Sequence, residues 1–498
     1  MRRWGTLLVL CVGCGGSTMN ADGGGDGGPP SFQQNFSTGA LPLDLLFMVD
    51  DSSNMNQVQD NLAINFPVFV NILESLPVRP DLHLAVVTSD MGAGAFTASV
   101  PGCMAPDLGN FVSTPRAPAD PTACATNRLN SGQHFIIDAH GGTQKNYTGD
   151  LAPTFGCLAQ VGSSGCGFEH QLAAVRAALG DPMMSLPAPA GNANFLRDDA
   201  VLGIIWVTNE DDCSAPPNSE LFDPNQNSLS DPLGPLSSFR CTEFGILCSG
   251  QKPPRQAAGP LANCVSNDGA AATDPLHSLV PVQFYRDYFR RVKTIPNRIF
   301  AAAIAAPTDP FVVVVDPQTG FPGLQASCNT VNGDYGIPGV RLKQLVDSFG
   351  ANGTYASVCN NSYSDTLSVI ANGIGRVLSD SCVNGVIAST NSGFTMAIPT
   401  PAPGLVVDPN VFSCSVTDIQ YLGTPMEQRL DTLLPCSPVG NTSGQCFAFL
   451  GDPACGTGIK LAVCRNGFDP ANPSNPCPPG PNQVPDGVTE VLSCRTVP

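Results

Sequence analysis

The sequence predicts an α/β protein: a doubly wound, mainly parallel sheet with long disulfide-stapled insertions, plus a small Cys-rich β domain at the C-terminus. Three observations carry this prediction. Short, continuously apolar runs alternate with stretches in which apolar residues return every three or four positions, the sign of buried strands followed by amphipathic helices. Two Cys- and Pro-rich segments, near 92–160 and 214–280, interrupt that alternation. Beyond Cys382 the helical spacing stops, and seven cysteines lie among Pro- and Gly-rich turns.

The elements follow in order. Arg2 and Arg3 precede the apolar stretch Leu7–Val12, far below the roughly 18 apolar residues that a spanning helix needs. Residues 1–14 therefore read as an export signal. Its Val12-Gly13-Cys14 ending is similar to a bacterial lipobox, with Cys11 where such boxes carry Leu. That resemblance implies lipidation at Cys14 and anchoring at the bacterial outer membrane or cell surface; the alternative is an ordinary cleaved signal and free secretion. Residues 15–40 are rich in Gly, Ser and Asp and read as a flexible tether.

The α/β pattern occupies 41–382. Leu45–Val49 is an apolar run of the kind buried on both faces of a parallel sheet. Val58, Leu62, Phe66, Phe69, Val70 and Leu73 then mark a helix, with Pro67 expected to kink it. Strands at Leu82–Thr88, Val201–Thr208 and Arg298–Ala306, and helices near 168–179, 282–295 and 364–378, continue the alternation. Residues 383–498 read as the β domain, with strand-like runs at Gly404–Val407 and Lys460–Val463.

Composition excludes several functions. With 13% charged residues, 51 Gly, 47 Pro and 42% apolar residues, the chain is a folded protein with many turns. A net charge of −18 repels phosphate backbones, so no nucleic-acid partner is expected, and membrane contact is expected only through the lipid. Setting aside Cys11 and Cys14, 18 of the 20 cysteines remain, all within 103–494. An even number without a metal-type spacing implies up to nine disulfides formed in an oxidising compartment. Cys103 and Cys124 are expected to staple the first insertion, and Cys157/Cys166 and Cys359/Cys382 are plausible close pairs. The odd seven beyond Cys382 require an upstream partner or a free thiol. No G-x-S-x-G, H-E-x-x-H or G-x-x-x-x-G-K-[ST] occurs, so neither an enzyme nor a small-molecule substrate is expected.

Ligands of open parallel sheets bind beyond the carboxyl ends of the strands. Three strands here end in oxygen-rich loops: Asp50-Asp51-Ser52-Ser53-Asn54, Ser89-Asp90 and Asn209-Glu210-Asp211-Asp212. Such oxygens suit a hard divalent cation, Mg2+ or Ca2+. Each also has a plainer role: Ser52 and Asn54 as caps of the following helix, Asp90 in a turn, Asp211-Asp212 in a solvated loop or as a cap, Glu169 at a helix dipole.

This strand, loop and helix resemble those of von Willebrand factor A domains, a Rossmann-like family with a metal-ion-dependent adhesion site built on D-x-S-x-S. Asp50 and Ser52 match that motif, Asn54 stands at its second serine, and Asn209 stands where the family has Asp. The family's Thr falls close to Cys166, which is no oxygen donor. Gly-Cys-Gly-Phe-Glu and Glu-Asp-Asp-Cys also resemble Cys-rich bacterial surface lipoproteins carrying this domain. The resemblance implies metal ligation by Asp50, Ser52, Asn54, Asn209 and Asp211, with Asp51, Asp90, Glu169, Glu210 and Asp212 as possible additions. It implies a cell-surface adhesion protein whose protein partner offers an acidic group. The alternative is a structural envelope or matrix protein with a degenerate, metal-free site.

Overall fold

The computed structural model describes residues 31–37, 41–76, 79–293, 298–331, 333–378 and 381–497, the last range excepting 384, 421–426, 438–443, 453, 454, 456, 470, 473–475 and 478–487. The expected export signal, Cys14 and most of the expected tether lie outside the described residues. The chain divides into two units, Ala40–Ser379 and the segments on either side of it. Strand β1 (Ser31–Ser37) lies in the second unit; the first unit begins at β2 (Leu43–Val49).

From β2 the chain runs through α1 (Asn56–Glu74), β3 (Leu82–Thr88), β4 (Ile136–Ala139), α2 (Leu151–Leu158), α3 (Gln171–Leu179) and β5 (Val201–Val207). It continues through α4 (Val282–Val292), β6 (Ile299–Ala305), α5 (Val340–Asp347), β7 (Gly353–Ser357) and α6 (Ser364–Leu378). The strands form one sheet in the order β7-β6-β5-β2-β3-β4, closed at the β4 edge by a short strand, Gln144–Lys145. The β2, β3, β5, β6 and β7 pairings are parallel, and β4 joins antiparallel.

Side chains alternate across a strand, and β2 uses both faces. Leu45, Phe47 and Val49 pack with α1, α2 and α6. Leu46 and Met48 pack with α3, α4 and α5 on the other side. Because β2 is buried on both faces, its run of apolar residues needs no polar interruption apart from Asp44, which Arg197 holds at 2.8 Å and Lys293 at 3.2 Å. Helix α1 contains Pro67, and Phe66 and Phe69 on either side of it are fully buried.

The 92–160 segment is more than an insertion. It supplies β4 to the main sheet, and α2 places Phe155 against Phe66, with ring centroids 3.7 Å apart. The 214–280 segment contains a short helix, Phe239–Gly245, and a hairpin pairing Ile246–Cys248 with Cys264–Ser266.

All 18 cysteines from 103 to 494 pair, in nine disulfides. The expected neighbours do not pair. Cys103 joins Cys166, Cys124 joins Cys157, Cys328 joins Cys359, and Cys382 joins Cys455. The last bond supplies the upstream partner that the odd count required. Closeness in sequence misled here, because the sheet brings distant segments together.

In the second unit, β1 corrects the tether reading. Alternation in Ser31–Ser37 puts Phe36 into a core, and the segment pairs with β12 (Val488–Arg495). With β8 (Cys414–Gln420) and β9 (Gln428–Leu433) these strands form an antiparallel sheet, β1-β12-β8-β9. A hairpin of β10 (Cys446–Gly451) and β11 (Ile459–Cys464) adds Phe447 and Phe449 to that core. The expected strand at Gly404–Val407 makes only single bridges.

Arg465 clamps Asp418 on β8, and its guanidinium reaches Glu490 on β12 at 2.6 Å. Burial nevertheless holds the Glu490 carboxyl up at about 7. In an unfolded chain it titrates near ~4.3. The folded unit therefore carries a proton across that interval that the unfolded chain has lost, and its stability falls as pH rises from ~4.5 to about 7. Glu490→Gln is expected to flatten this slope by up to about one proton, measured by urea unfolding of the full chain at a series of pH values.

Candidate functional site at the carboxyl ends of the strands

Asp50 ends the apolar run of β2 and is fully buried. Its N–H donates to the Val207 carbonyl at 3.0 Å, tying the ends of β2 and β5. One carboxyl oxygen accepts the Ser52 N–H at 2.8 Å and the Ser89 hydroxyl at 3.2 Å. The other accepts the Thr208 hydroxyl at 2.5 Å. Donors just beyond β3 and β5 therefore meet the carboxylate at the end of β2. Burial raises the Asp50 pKa, and these hydrogen bonds oppose the rise.

Asp51 is also buried, and its carboxyl is pushed up to about 8, first by burial and then by Asp50, Asp90 and Asp107. Arg116, which clamps Asp107 in a double hydrogen bond, reaches only to 3.7 Å from Asp51. The Gly165 N–H bonds the Asp51 carbonyl at 2.8 Å, and a Cβ at Gly165 would lie 2.4 Å from the Asp51 carboxylate, so only glycine permits this approach. Asp90 forms the turn, accepting the Gly92 N–H at 2.9 Å with Gly92 at φ +80°; burial is the main cause raising its pKa.

Ser52 and Asn54 do not cap α1, whose N-cap is Met55 without a side-chain bond. The Ser52 hydroxyl is buried without a hydrogen-bond partner. Asn54 corrects the expectation of an inward ligand. It sits in the left-handed region at φ 70°, is exposed, and donates to the Tyr335 hydroxyl at 3.4 Å.

The 209–212 loop divides by role. Asn209 is buried, and both polar atoms of its side chain lack hydrogen-bond partners. Burial holds the Glu210 carboxyl up at about 7, with Asp50 adding to the rise. Glu169, buried just before α3, is pushed well above the usual range by burial, then by Glu210 and Asp50. Asp50, Glu169 and Glu210 are thus mutually repelling, and among the described residues none of them forms an ion pair.

Asp211 and Asp212 are drawn elsewhere, which corrects their reading as metal ligands. Asp211 accepts the N–H groups of Arg341 at 3.0 Å and Leu342 at 3.2 Å, neutralising the first turn of α5. Asp212 takes the Leu172 N–H of α3 at 2.9 Å, the Ser214 hydroxyl at 2.5 Å and the Arg341 guanidinium at 3.0 and 3.1 Å.

The sequence reading missed Thr208, Arg341 and Arg116. Thr208 sits at a strand end among oxygen-bearing neighbours, a signal that was available. Arg341 and Arg116 carry no motif and meet their carboxylates only through the fold.

Beside the loop lies a cleft of about 410 Å³ with Glu169 and Glu210 in its lining and Phe239, Ile246, Phe311 and Leu324 among its apolar walls. Among the described residues, the one cluster of three Cys, His, Asp or Glu groups close enough to share a metal is Cys436, Cys446 and Cys464. All three are disulfide-bonded, which removes them as ligands.

No protein-family model matches the chain, and no curated protein matches it. Among solved structures, the chain is similar to the conserved hypothetical protein BatB from Bacteroides thetaiotaomicron, with 7% identity over 68% of this chain and 98% of that one, at TM-score 0.24. A von Willebrand factor type A structure from Catenulispora acidiphila matches with 7% identity over 88% of this chain and 73% of that one, at TM-score 0.26. The pilus adhesin SpaC from Lactobacillus rhamnosus GG, in its open conformation, matches with 10% identity over 94% and 43%, at TM-score 0.28.

Arg341 is 1% exposed and is the cation facing Asp212. Replacing it with Met leaves that carboxylate buried without its cation. Arg341→Met is expected to cost ~3–5 kcal/mol of stability, read from chemical denaturation, with part of the loss recovered in the Arg341→Met/Asp212→Asn double variant.

Proposed function

We propose that residues 40–379 are a von Willebrand factor A-type domain of an exported, non-enzymatic binding protein, with an altered divalent-cation site at the carboxyl ends of β2, β3 and β5. The observation that carries this reading is the buried Asp50 carboxyl beside the buried Asn209 amide without a partner, with the buried Glu169 and the half-buried Glu210 near enough to interact with its charge and none of the three carboxyls paired with a cation. Asp50, Glu169 and Glu210 repel one another, while the Asn209 amide makes no hydrogen bond and the buried Ser52 hydroxyl lies close to the Asp50 carboxyl. Buried polar groups left in this way cost free energy unless something pairs with them. Carboxylate, hydroxyl and amide oxygens are the donors that a hard cation takes, so the residues fit the ion that the resemblance implies.

Asp50, Ser52 and Asn209 would hold the ion, with Glu169 and Glu210 supplying further charge. A bound Mg2+ or Ca2+ would keep the carboxylates ionised at neutral pH and offer a coordination position to a partner's oxygen. Asn54, Asp211 and Asp212 take no part in this set, and Asp51 and Asp90 lie on the side of Arg116.

The nine disulfides support an oxidising, extracytoplasmic location, in line with the export signal and Cys14 lipid anchor read from residues 1–14. The structural-protein alternative requires the insertions to cover this face. The cleft at Glu169 and Glu210 favours the binding reading instead.

The test is calorimetry of the full chain with CaCl2 and MgCl2. Wild type is expected to bind at least one of the two, and Asp50→Ala to weaken binding by ~10-fold or more. Because Asp50 is fully buried, Glu210→Gln serves as the isosteric second variant, and thermal melts confirm folding. At ~100 times the dissociation constant the ion adds ~2.7 kcal/mol of stability. No heat from wild type with either ion, or equal heats from wild type and both folded variants, overturns the metal reading.

A further inference from the structure

The cleft beside the strand ends has a composition that the metal reading does not explain. It is lined by four acidic residues, Glu169, Glu210, Asp211 and Asp212, and by no basic residue. Asp211 is satisfied by the amides of α5, and Asp212 by Arg341, whose guanidinium is held between Asp212 and the Ser266 hydroxyl. Glu169 and Glu210 have no such partner. Next to Glu210 in sequence, the amide of Asn209 is 1% exposed with both polar atoms unpaired, although Asn209 is not itself among the residues lining the cleft.

The rest of the lining is mixed: Ser238, Thr242, Asn329 and Tyr335 are polar, and Phe239, Ile246, Phe311 and Leu324 are apolar. Phe239, Ile246 and Phe311 come from the 214–280 insertion and the strand at Phe311–Val315, and Leu324 from the strand paired with it. The volume of about 410 Å³ falls in the range of ~300–1,000 Å³ typical of small-ligand sites.

Charge decides what fits. Asp50, Glu169 and Glu210 carry three negative charges when ionised. One divalent ion leaves that ionised group negative; without the ion, burial and mutual repulsion hold Glu169 and Glu210 toward the neutral form, and an entering cation favours their ionisation. An acidic group of a partner, which the family resemblance implies, would meet repulsion from ionised Glu169 and Glu210 in the cleft. A cationic group would be attracted in either case.

We propose that this cleft receives an organic cation on an apolar stem, an ammonium or guanidinium that settles at Glu169 and Glu210 while the stem lies against Phe239, Ile246, Phe311 and Leu324. Two sources share this chemistry: a Lys or Arg side chain of a partner protein, and a free alkylamine. The inference rests on reading this face as a binding face, and it holds with or without the metal.

The test uses the full chain and isothermal titration with the peptide Ac-Ala-Leu-Lys-Leu-Ala-NH2, its norleucine and glutamate counterparts, and free hexylammonium against hexanol. Each is titrated with CaCl2 present and again with EDTA. The lysine peptide is expected to bind about tenfold tighter than the norleucine peptide, and Glu210→Gln to remove most of that gap without loss of folding in a thermal melt. Hexylammonium preferred over hexanol, with no preference among the peptides, supports the cleft as a site for the free amine. No preference for a cation in either series overturns the proposal, as does tightest binding by the glutamate peptide. Metal titration without peptide reads the other proposal separately: a cation preference that persists in EDTA, with no heat from CaCl2 or MgCl2, sinks the metal and keeps the cleft.

Discussion

The site depends on one buried carboxylate. Asp50 is fully buried at the end of the central strand and survives there because donors at three strand ends reach it: the Ser52 amide, the Ser89 hydroxyl and the Thr208 hydroxyl. Charged hydrogen bonds in a low-dielectric interior are strong, and each fixes the segment that supplies it. The register of β2 against β3 and β5 and the geometry of the ligand-facing loop are thus the same constraint. A parallel sheet places all these ends on one edge, so the carboxylate is a structural knot at the edge where the proposed binding face lies.

Around that knot the acidic residues divide according to what the helices offer. The first turns of α3 and α5 present unpaired N–H groups, which take Asp212 and Asp211. Arg341 then lies close enough to pair with Asp212, and the loop is held between two helices. Glu169 and Glu210 face neither a helix start nor a guanidinium. They keep their repulsion, seen in raised pKa values. Asp211 and Asp212 are the carboxylates that helix donors take up, and Glu169 and Glu210 are those left over, a distinction that residue type alone does not draw.

This explains how far the sequence could be read. Leu45–Val49 followed by the three- and four-residue spacing of α1 was unambiguous, since burial on both faces demands an uninterrupted apolar run. Helix α6 was legible over its full length for the same reason. Strand β7 was not: each of its residues is only partly buried, so Gly353–Ser357 shows neither a run nor an alternation. Helix α5, eight residues long, offers barely two turns of periodicity. Strand β4 was hidden by the turn-rich composition around it. The site was legible as a set of oxygen-rich strand ends, and Asp50, Ser52 and Asn209 were named from them. The outward turn of Asn54 and the diversion of Asp211 and Asp212 depend on Tyr335 and Arg341, more than 120 residues downstream, and no local pattern encodes such partners.

The replacement near the family's threonine position ties these points together. Cys166 bonds Cys103, fixing the 163–170 loop to the segment beyond β3, while Gly165 lies against Asp51. A loop that in the resembling family offers a neutral hydroxyl is here held covalently, and Glu169, three residues later, interacts through its charge with Glu210 and Asp50. Exchanging a hydroxyl for a carboxyl adds an acid whose ionisation burial and its neighbours oppose. Exchanging the family's Asp for Asn209 would remove one, but Glu210 beside it restores it. On the proposed reading, the strand ends would keep the oxygen-rich layout of the resembling family while their chemistry moves toward one that disfavours acids, and the apolar residues of the cleft would give a cation somewhere to lay its stem.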